Sequence, residues 1–527
     1  MVMKWRRGNT CIKMIEMRRL LYILALFAAV SCFRDLGNYD YADVNEVRIA
    51  DTGFDKAYDV RRDYDVLEIS PEITFTSDKE GKGEYVYKWE AVGQHFYRGE
   101  RFTVGTERNL SCKVELPAEE YILYLKVTDL STDIVFSKSV PLNVRSTNTL
   151  GWVLGGELPD GTGQVDMISI SSNTMYLKGA LDLKDGLELA PVDIVWIDND
   201  EYTSEDRLYV GTSGGAYKFD RANFAGNPFT SLKYSFAFPD EITSAVMTDS
   251  QKVSDKRHVI IVDGKAYEVS SDGGMMGSTF CIYDNMDKEG GIEEFSVADK
   301  MICNHTHPQG IRTFVFYDRD NHRFCYISGL NVSGMIRIND AEGDQWSWDT
   351  TNDFGEGGLE LLTVVNSFFS GGQSLALMND PATSDKWIYN VTAPNSGTPV
   401  KNGRYKVDKS IAVDFDNATG YIMTTNHGYM IYAAGSSIYG YNFRKEPQVC
   451  ERLMEFDAPV TCIAADYFTA DKSKDAFMVA TYDDAQERSG VVYKFMVEDN
   501  PDRMAVSRMN TWDEGFLKVK SMCYKAF

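Results

Sequence analysis

The stretch RLYVGTSGGAYKFD, residues 207–220, decides the fold. Two runs of alternating apolar and polar residues flank a Gly-rich turn, and period-2 alternation around such a turn reads as a β-hairpin. The pattern returns in RHVIIVDGKAYEVS, residues 257–270. Aligned on the second half, the chain holds seven such units: GQVDMISI, GGAYKFD, GKAYEVS, HRFCYIS, KWIYNVT, SIYGYNF and GVVYKFM. The aligned positions are Asp166, Tyr217, Tyr267, Cys325, Tyr389, Tyr439 and Tyr493, with gaps of 51, 50, 58, 64, 50 and 54 residues. A period near 50 with several short strands per unit is the signature of a propeller.

A further strand precedes most hairpins, as in PVDIVWID, EITSAVMT and PVTCIAADY. The first unit lacks it, and the chain ends on an unassigned strand, LKVKSMCYKAF. Pairing that strand with the first unit closes a ring and removes two exposed sheet edges. Residues 150–527 are therefore expected to form a seven-bladed β-propeller, with the recurrent Tyr packed between blades.

Upstream, residues 42–147 alternate through LEISPEITFTS, EYVYKWEAVG and EEYILYLKVTDLSTDIVFSKSVPLNV, and Trp89 sits mid-strand. A large aromatic there suits an immunoglobulin-like sandwich core. The whole chain is expected to be all-β.

Arg18 and Arg19 precede the eleven apolar residues LLYILALFAAV. That run is too short for a bilayer, which takes about 20 residues, but it suits a signal peptide. Residues 1–31 read as an N-terminal extension plus signal peptide, with Met17 a sensible start. Ala29-Val30-Ser31-Cys32 resembles a bacterial lipobox, with Ala29 where Leu is usual. The resemblance makes Cys32 the lipidated mature N-terminus and residues 32–41 a tether.

The sandwich's last strands resemble the end of a PKD-type domain, and DLGNYDY, residues 35–41, resembles the start of PKD-like lipoproteins of Bacteroidetes. Those accompany SusC/SusD-type outer-membrane importers. The resemblance implies a lipid-anchored outer-membrane protein beside a SusC/SusD-like transporter, with a glycan or peptide as ligand. The same resemblance implies exposure at the cell surface, with Arg34 and Asp35 the charged residues close after Cys32.

A net charge of -24 opposes nucleic-acid binding, which needs a basic face. Beyond Cys11 and Cys32 the chain has seven cysteines, without CxxC, mostly inside apolar runs. They read as small buried apolar residues. No P-loop or H-E-x-x-H occurs, no catalytic residue is assigned, and no enzyme activity is expected. The alternatives are a propeller-type glycan or peptide hydrolase or lyase, and a structural protein-binding adaptor.

CNHTH brings Cys303, His305 and His307 together without an evident fourth ligand, so no metal site is assigned. The Asp-rich runs at 198–206, 318–323 and 414–420 are what hairpin turns require; structural Ca²⁺ is the alternative, and no other cofactor is expected. The remaining ligand signal is GDQWSWDT. Trp346 and Trp348 share one side of a strand, with Asp344 and Asp349 beside them, a combination that suits sugar stacking.

Overall fold

The computed structural model describes residues 45–526 except 63, 95–96, 146–149, 171–173, 198–206, 222, 237–238, 240–241, 255–256, 271–275, 284–292, 305, 307–312, 330–333, 468–474 and 501–502. Cys32 and the signal and tether expected around it lie outside these residues. The protein is all-β, and no described helix is long and apolar enough to cross a membrane.

The N-terminal part is a sandwich. One face is a five-stranded sheet in the order Tyr58–Arg61, Ile134–Arg145, Glu119–Asp129, Tyr85–Gly93, Arg101–Gly105. Opposite lie two short pairs, Val66–Ile69 with Leu110–Lys113 and Val47–Ile49 with Ile73–Phe75. Strict alternation puts Tyr121, Leu123, Leu125 and Val127 inward from one strand. They pack on Trp89, which is fully buried and donates from Nε1 to the Glu107 carbonyl at 2.9 Å.

From Gly151 onward, seven successive antiparallel sheets follow among the described residues. The second runs Val192–Ile197, Arg207–Thr212, Gly215–Asp220, and the third Met247–Ser254, Arg257–Val262, Lys265–Ser270, Met276–Thr279. The last runs Val460–Asp466, Ala476–Thr481, Gly490–Val497, Val506–Phe516. The hairpin turn Asp263-Gly264 has φ of 49° and 71°, the left-handed pair that a two-residue turn demands. The C-terminal strand Lys518–Lys525 pairs antiparallel with Gly151–Glu157, inside the first sheet.

Each sheet shares a core with the next. Val153 and Val165 meet Val192 and Val210; Tyr209 meets Ile260; Val259 meets Phe314; Phe324 meets Tyr389; Leu375 meets Tyr432; Ile431 meets Phe477. The seventh meets the first, where Met478 and Val492 pack with Trp152, Leu154 and Val519.

The recurrent position explains itself in this geometry. Tyr217, Tyr267, Cys325, Tyr389, Tyr439 and Tyr493 each belong to the cluster shared with the preceding sheet. Asp166 occupies the same position in the first sheet, at the joint with the seventh. Its buried carboxylate takes Nη1 of Arg488 at 2.9 Å and the amides of Leu517 at 3.0 Å and Gly179 at 2.8 Å. An ion pair stands in place of the recurrent side chain at the joint between the seventh sheet and the first.

One expected strand is displaced. The alternation of EITSAVMT predicts a leading strand from residue 241, but pairing starts only at Met247. The Asp263 carboxylate captures the amides of Ala245 and Val246 at 2.9 Å each, and Ala245 takes φ 54°. A side chain that satisfies backbone N–H groups locally competes with the ladder.

The joint between the second and third sheets buries His258 against Trp196 and Tyr209, with ring centroids 4.9 and 5.3 Å away. Burial pushes its pKa from 6.5 down to about 3. Between those values the unfolded chain binds a proton that the folded one refuses. Stability present above pH 6.5 is thus lost progressively as pH falls toward 3. Urea midpoints measured from pH 7 to 4 should fall steeply for the native protein and less for His258→Phe; parallel curves would refute the assignment.

Candidate functional site

The expected aromatic platform forms part of the core. Sheet four ends in a two-residue outer strand, Ile336–Arg337, and the chain then makes an excursion before Glu360–Val365 opens the next sheet. The excursion returns to the sheet edge, where the Trp348 carbonyl accepts the Phe324 amide at 2.9 Å. Asp340 holds the return by accepting from the Trp348 amide at 2.9 Å and the Ser347 hydroxyl at 2.6 Å.

Trp346 and Trp348 are each only 3 % exposed. Their rings meet edge to face at 4.8 Å, and Trp346 meets Tyr389 at 4.7 Å. Lys401 caps the pair, with Nζ 4.6 Å from the Trp346 centroid and 5.1 Å from that of Trp348. The same ammonium pairs with Asp340 at 2.8 Å and Asp344 at 2.6 Å, and its proximity lowers the Asp344 pKa. Asp349 stands apart. It accepts the Thr351 amide at 3.0 Å at the start of the single turn Thr351–Phe354.

Of the four residues assigned to a ligand, three gather around Lys401 and one serves a turn. The ring faces are occupied by protein, so no open stacking surface exists there in this structure. Trp-x-Trp alternation says that two rings share a side; it does not say whether that side faces water. The short outer strand decides it, because the joint between sheets four and five would otherwise lie bare.

The other candidates also resolve into packing. Cys303 is buried, which pushes its thiol well up. His305 and His307 lie outside the described residues. The seven described cysteines are all free. Among the described residues, no three His, Cys, Asp or Glu side chains gather as a metal site.

Asp318 accepts the amides of Asp320 at 3.1 Å and Asn321 at 3.0 Å, the Tyr283 hydroxyl, and Arg323 Nε at 3.3 Å. Asp416 pairs with Lys409 at 2.8 Å and Lys386 at 3.4 Å. These oxygens already have protein donors. The turn at 198–206 lies outside the described residues.

An open concavity lies in the sandwich. A cleft of about 720 Å³ has an apolar floor of Phe102, Val104, Val114, Leu116 and Leu142, with Arg101, Lys113 and Glu115 at its rim. Arg101–Gly105 is the last strand of the five-stranded sheet, and Leu110–Lys113 pairs only with Val66–Ile69. Both strands therefore have one edge without a strand partner among the described residues. Free N–H and C=O groups beside an apolar floor can accept an extended chain as an added strand.

Cys112 borders the cleft, and burial raises its pKa, so its thiol stays protonated. Close by, Lys126 and Lys88 hold buried Glu90 down to about 2, and Arg101 reaches it at 3.6 Å.

Sequence reasoning missed this cleft. Arg101–Gly105 and Leu110–Lys113 follow one another along the chain, joined by a short turn. In the structure the chain crosses between sheets there, so the two strands do not pair. Only the missing pairing marks the cleft, and alternation carries no trace of it.

The comparisons bear on the same region. A family model described as PKD-like family matches residues 32–189, so the N-terminal part is PKD-like. The match runs past the sandwich through Gly151–Glu157, Gly163–Ile170 and Thr174–Leu177, the first sheet's own strands. No curated protein matches the chain.

Among solved structures, the chain is similar to a quinonprotein alcohol dehydrogenase-like protein from Bacteroides thetaiotaomicron, at 12% identity and TM-score 0.46, over 92% of this chain and 100% of that one. It is also similar to the dihydro-heme d1 dehydrogenase NirN, at 12% identity and TM-score 0.36, over 72% and 76%. A third is the extracellular domain of a one-component system from B. thetaiotaomicron, at 10% identity and TM-score 0.32, over 88% and 67%.

Proposed function

We propose that this protein is a non-catalytic accessory of a SusC/SusD-like nutrient importer, held in the outer membrane by lipid on Cys32. The seven sheets are the blades of a closed β-propeller, which acts as a rigid body beyond the PKD-like sandwich. The sandwich does the docking, and its cleft takes an extended segment of the transporter or its lid protein by strand addition. The observation that carries this reading is the apolar cleft between two free strand edges. Strand addition draws its affinity from main-chain hydrogen bonds and its specificity from side-chain pockets on the floor. The glycan or peptide that the importer handles is the ligand class implied for the complex.

The test is co-purification of the tagged, lipidated protein from detergent-solubilised outer membrane of the native host, read by mass spectrometry. A TonB-dependent transporter and its lid lipoprotein should come along. Thr103→Arg with Lys113→Glu, both on the rim of the cleft, should lower their recovery at least about tenfold without changing the unfolding midpoint. A wild-type protein that runs alone would sink the accessory reading. Undiminished recovery by the variant would move docking away from the cleft.

A further inference from the structure

Among the described residues the second sheet has three strands. Its outer position is taken by two short turns, Pro228–Thr230 and Leu232–Ser235, attached through a bridge between Tyr217 and Ser231. Leu232 and Phe236 are buried in the joint with the third sheet and pin the segment from below. Asn227 pins its start: its side chain accepts the Phe229 amide at 2.9 Å while its own amide donates to the Thr230 hydroxyl at 3.2 Å.

What this scaffold presents outward is unusual. Phe229 is 77 % exposed and Tyr234 58 % exposed, with ring centroids 6.3 Å apart and planes inclined by 39°. Two neighbouring aromatic rings held in water on a pinned element form a small contiguous apolar surface, the kind of feature that can serve a ligand.

We propose that Phe229 and Tyr234 form a stacking platform for a neutral glycan. The ring spacing is comparable with one sugar repeat, so successive pyranose rings can lay their C–H faces on the two side chains. The Tyr234 hydroxyl supplies a hydrogen bond at the edge. Two arguments favour a sugar over other occupants. Two rings cover far less than the roughly 800 Å² per partner of a stable protein interface. The segment 227–236 carries a single charge, Lys233, on a chain of net charge -24, which suits an uncharged ligand better than an anionic surface. The ligand class rests on the import reading; the platform rests on the geometry.

The experiment is affinity electrophoresis of the full-length protein in gels holding laminarin, galactomannan or starch, with vesicles of phosphatidylcholine in a parallel sedimentation assay. Comparators are Phe229→Ala with Tyr234→Ala, and the cleft variant Thr103→Arg with Lys113→Glu. At least one neutral polysaccharide should retard the wild type and the cleft variant, with affinity falling about tenfold or more in the double-alanine variant. Both rings are exposed, so the unfolding midpoint should not move. Equal retardation of the double-alanine variant would overturn the platform while leaving sugar binding elsewhere. No retardation by any polysaccharide, or ring-dependent binding to vesicles alone, would overturn the glycan assignment. Co-purification with the transporter is read separately, so the two proposals can fail independently.

Discussion

Deleting residues 518–527 should unfold the ring rather than trim it. The strand Lys518–Lys525 fills the first sheet and covers the joint between first and seventh. Without it Trp152 and Leu154 lose Val519, Met522 and Tyr524, the last of which meets Trp152 edge to face at 5.3 Å. The Ser521 hydroxyl, which accepts the Val195 amide at 3.1 Å, is lost too, as is Lys520, which pairs with Glu157 at 2.9 Å. Uncovering several core side chains costs about 1.5–3 kcal/mol each. The sum reaches the 5–15 kcal/mol that a whole domain has to spare, as an order of magnitude. The deletion should abolish cooperative urea unfolding and increase binding of a hydrophobic dye.

Arg488→Ala is the milder version. It leaves the fully buried Asp166 carboxylate without its ion pair, for which about 3 kcal/mol of destabilisation is expected. Arg488 is partly exposed, so the loss should sit at the low end of the range for buried pairs. A cooperative deletion variant with an unchanged midpoint would mean that the ring does not depend on its closing strand.

Trp346→Ala should cost about 3–5 kcal/mol, the range for emptying a buried Trp or Phe site. The indole touches Trp348, Tyr389 and Phe324 and lies under Lys401, so its removal opens a cavity with several lining groups and one unseated ammonium. Asp340 and Asp344 keep Lys401 in place, which should prevent full collapse into the hole. Thermal or urea unfolding reads the effect directly. A residue on an open platform would change stability by less than about 0.5 kcal/mol. A near-zero result would therefore restore Trp346 as a surface ligand residue. Comparison with Phe229→Ala, which is expected to be silent in the same assay, makes the contrast internal to one protein.

The two aromatic pairs show where reading the chain succeeds and stops. Both Trp346/Trp348 and Phe229/Tyr234 are visible as letters. The first pair alternates beside Asp and Gly, the pattern of a ligand platform; the second sits among ordinary turn residues. Exposure reverses that ranking. It depends on how long the neighbouring outer strands are and on which joints need cover, and neither is a local property. EITSAVMT failed for a related reason. Its alternation is real, but the Asp263 carboxylate, close by only after the hairpin closes, outcompetes the ladder for its amides.

By itself the chain determined its strands, its seven recurring units and the match between its closing strand and the first unit. Those follow from period-2 alternation, turn residues and a repeat near 50 residues, all of which act over short distances. The sandwich core around Trp89 was legible for the same reason. Tertiary structure alone decided which aromatics face water, that Asp166 would meet Arg488 across 322 residues, and that two neighbouring strands would part to open a cleft. Each of these depends on which surfaces remain uncovered once the sheets have packed, and burial is a property of the assembled ring and sandwich rather than of any segment within them.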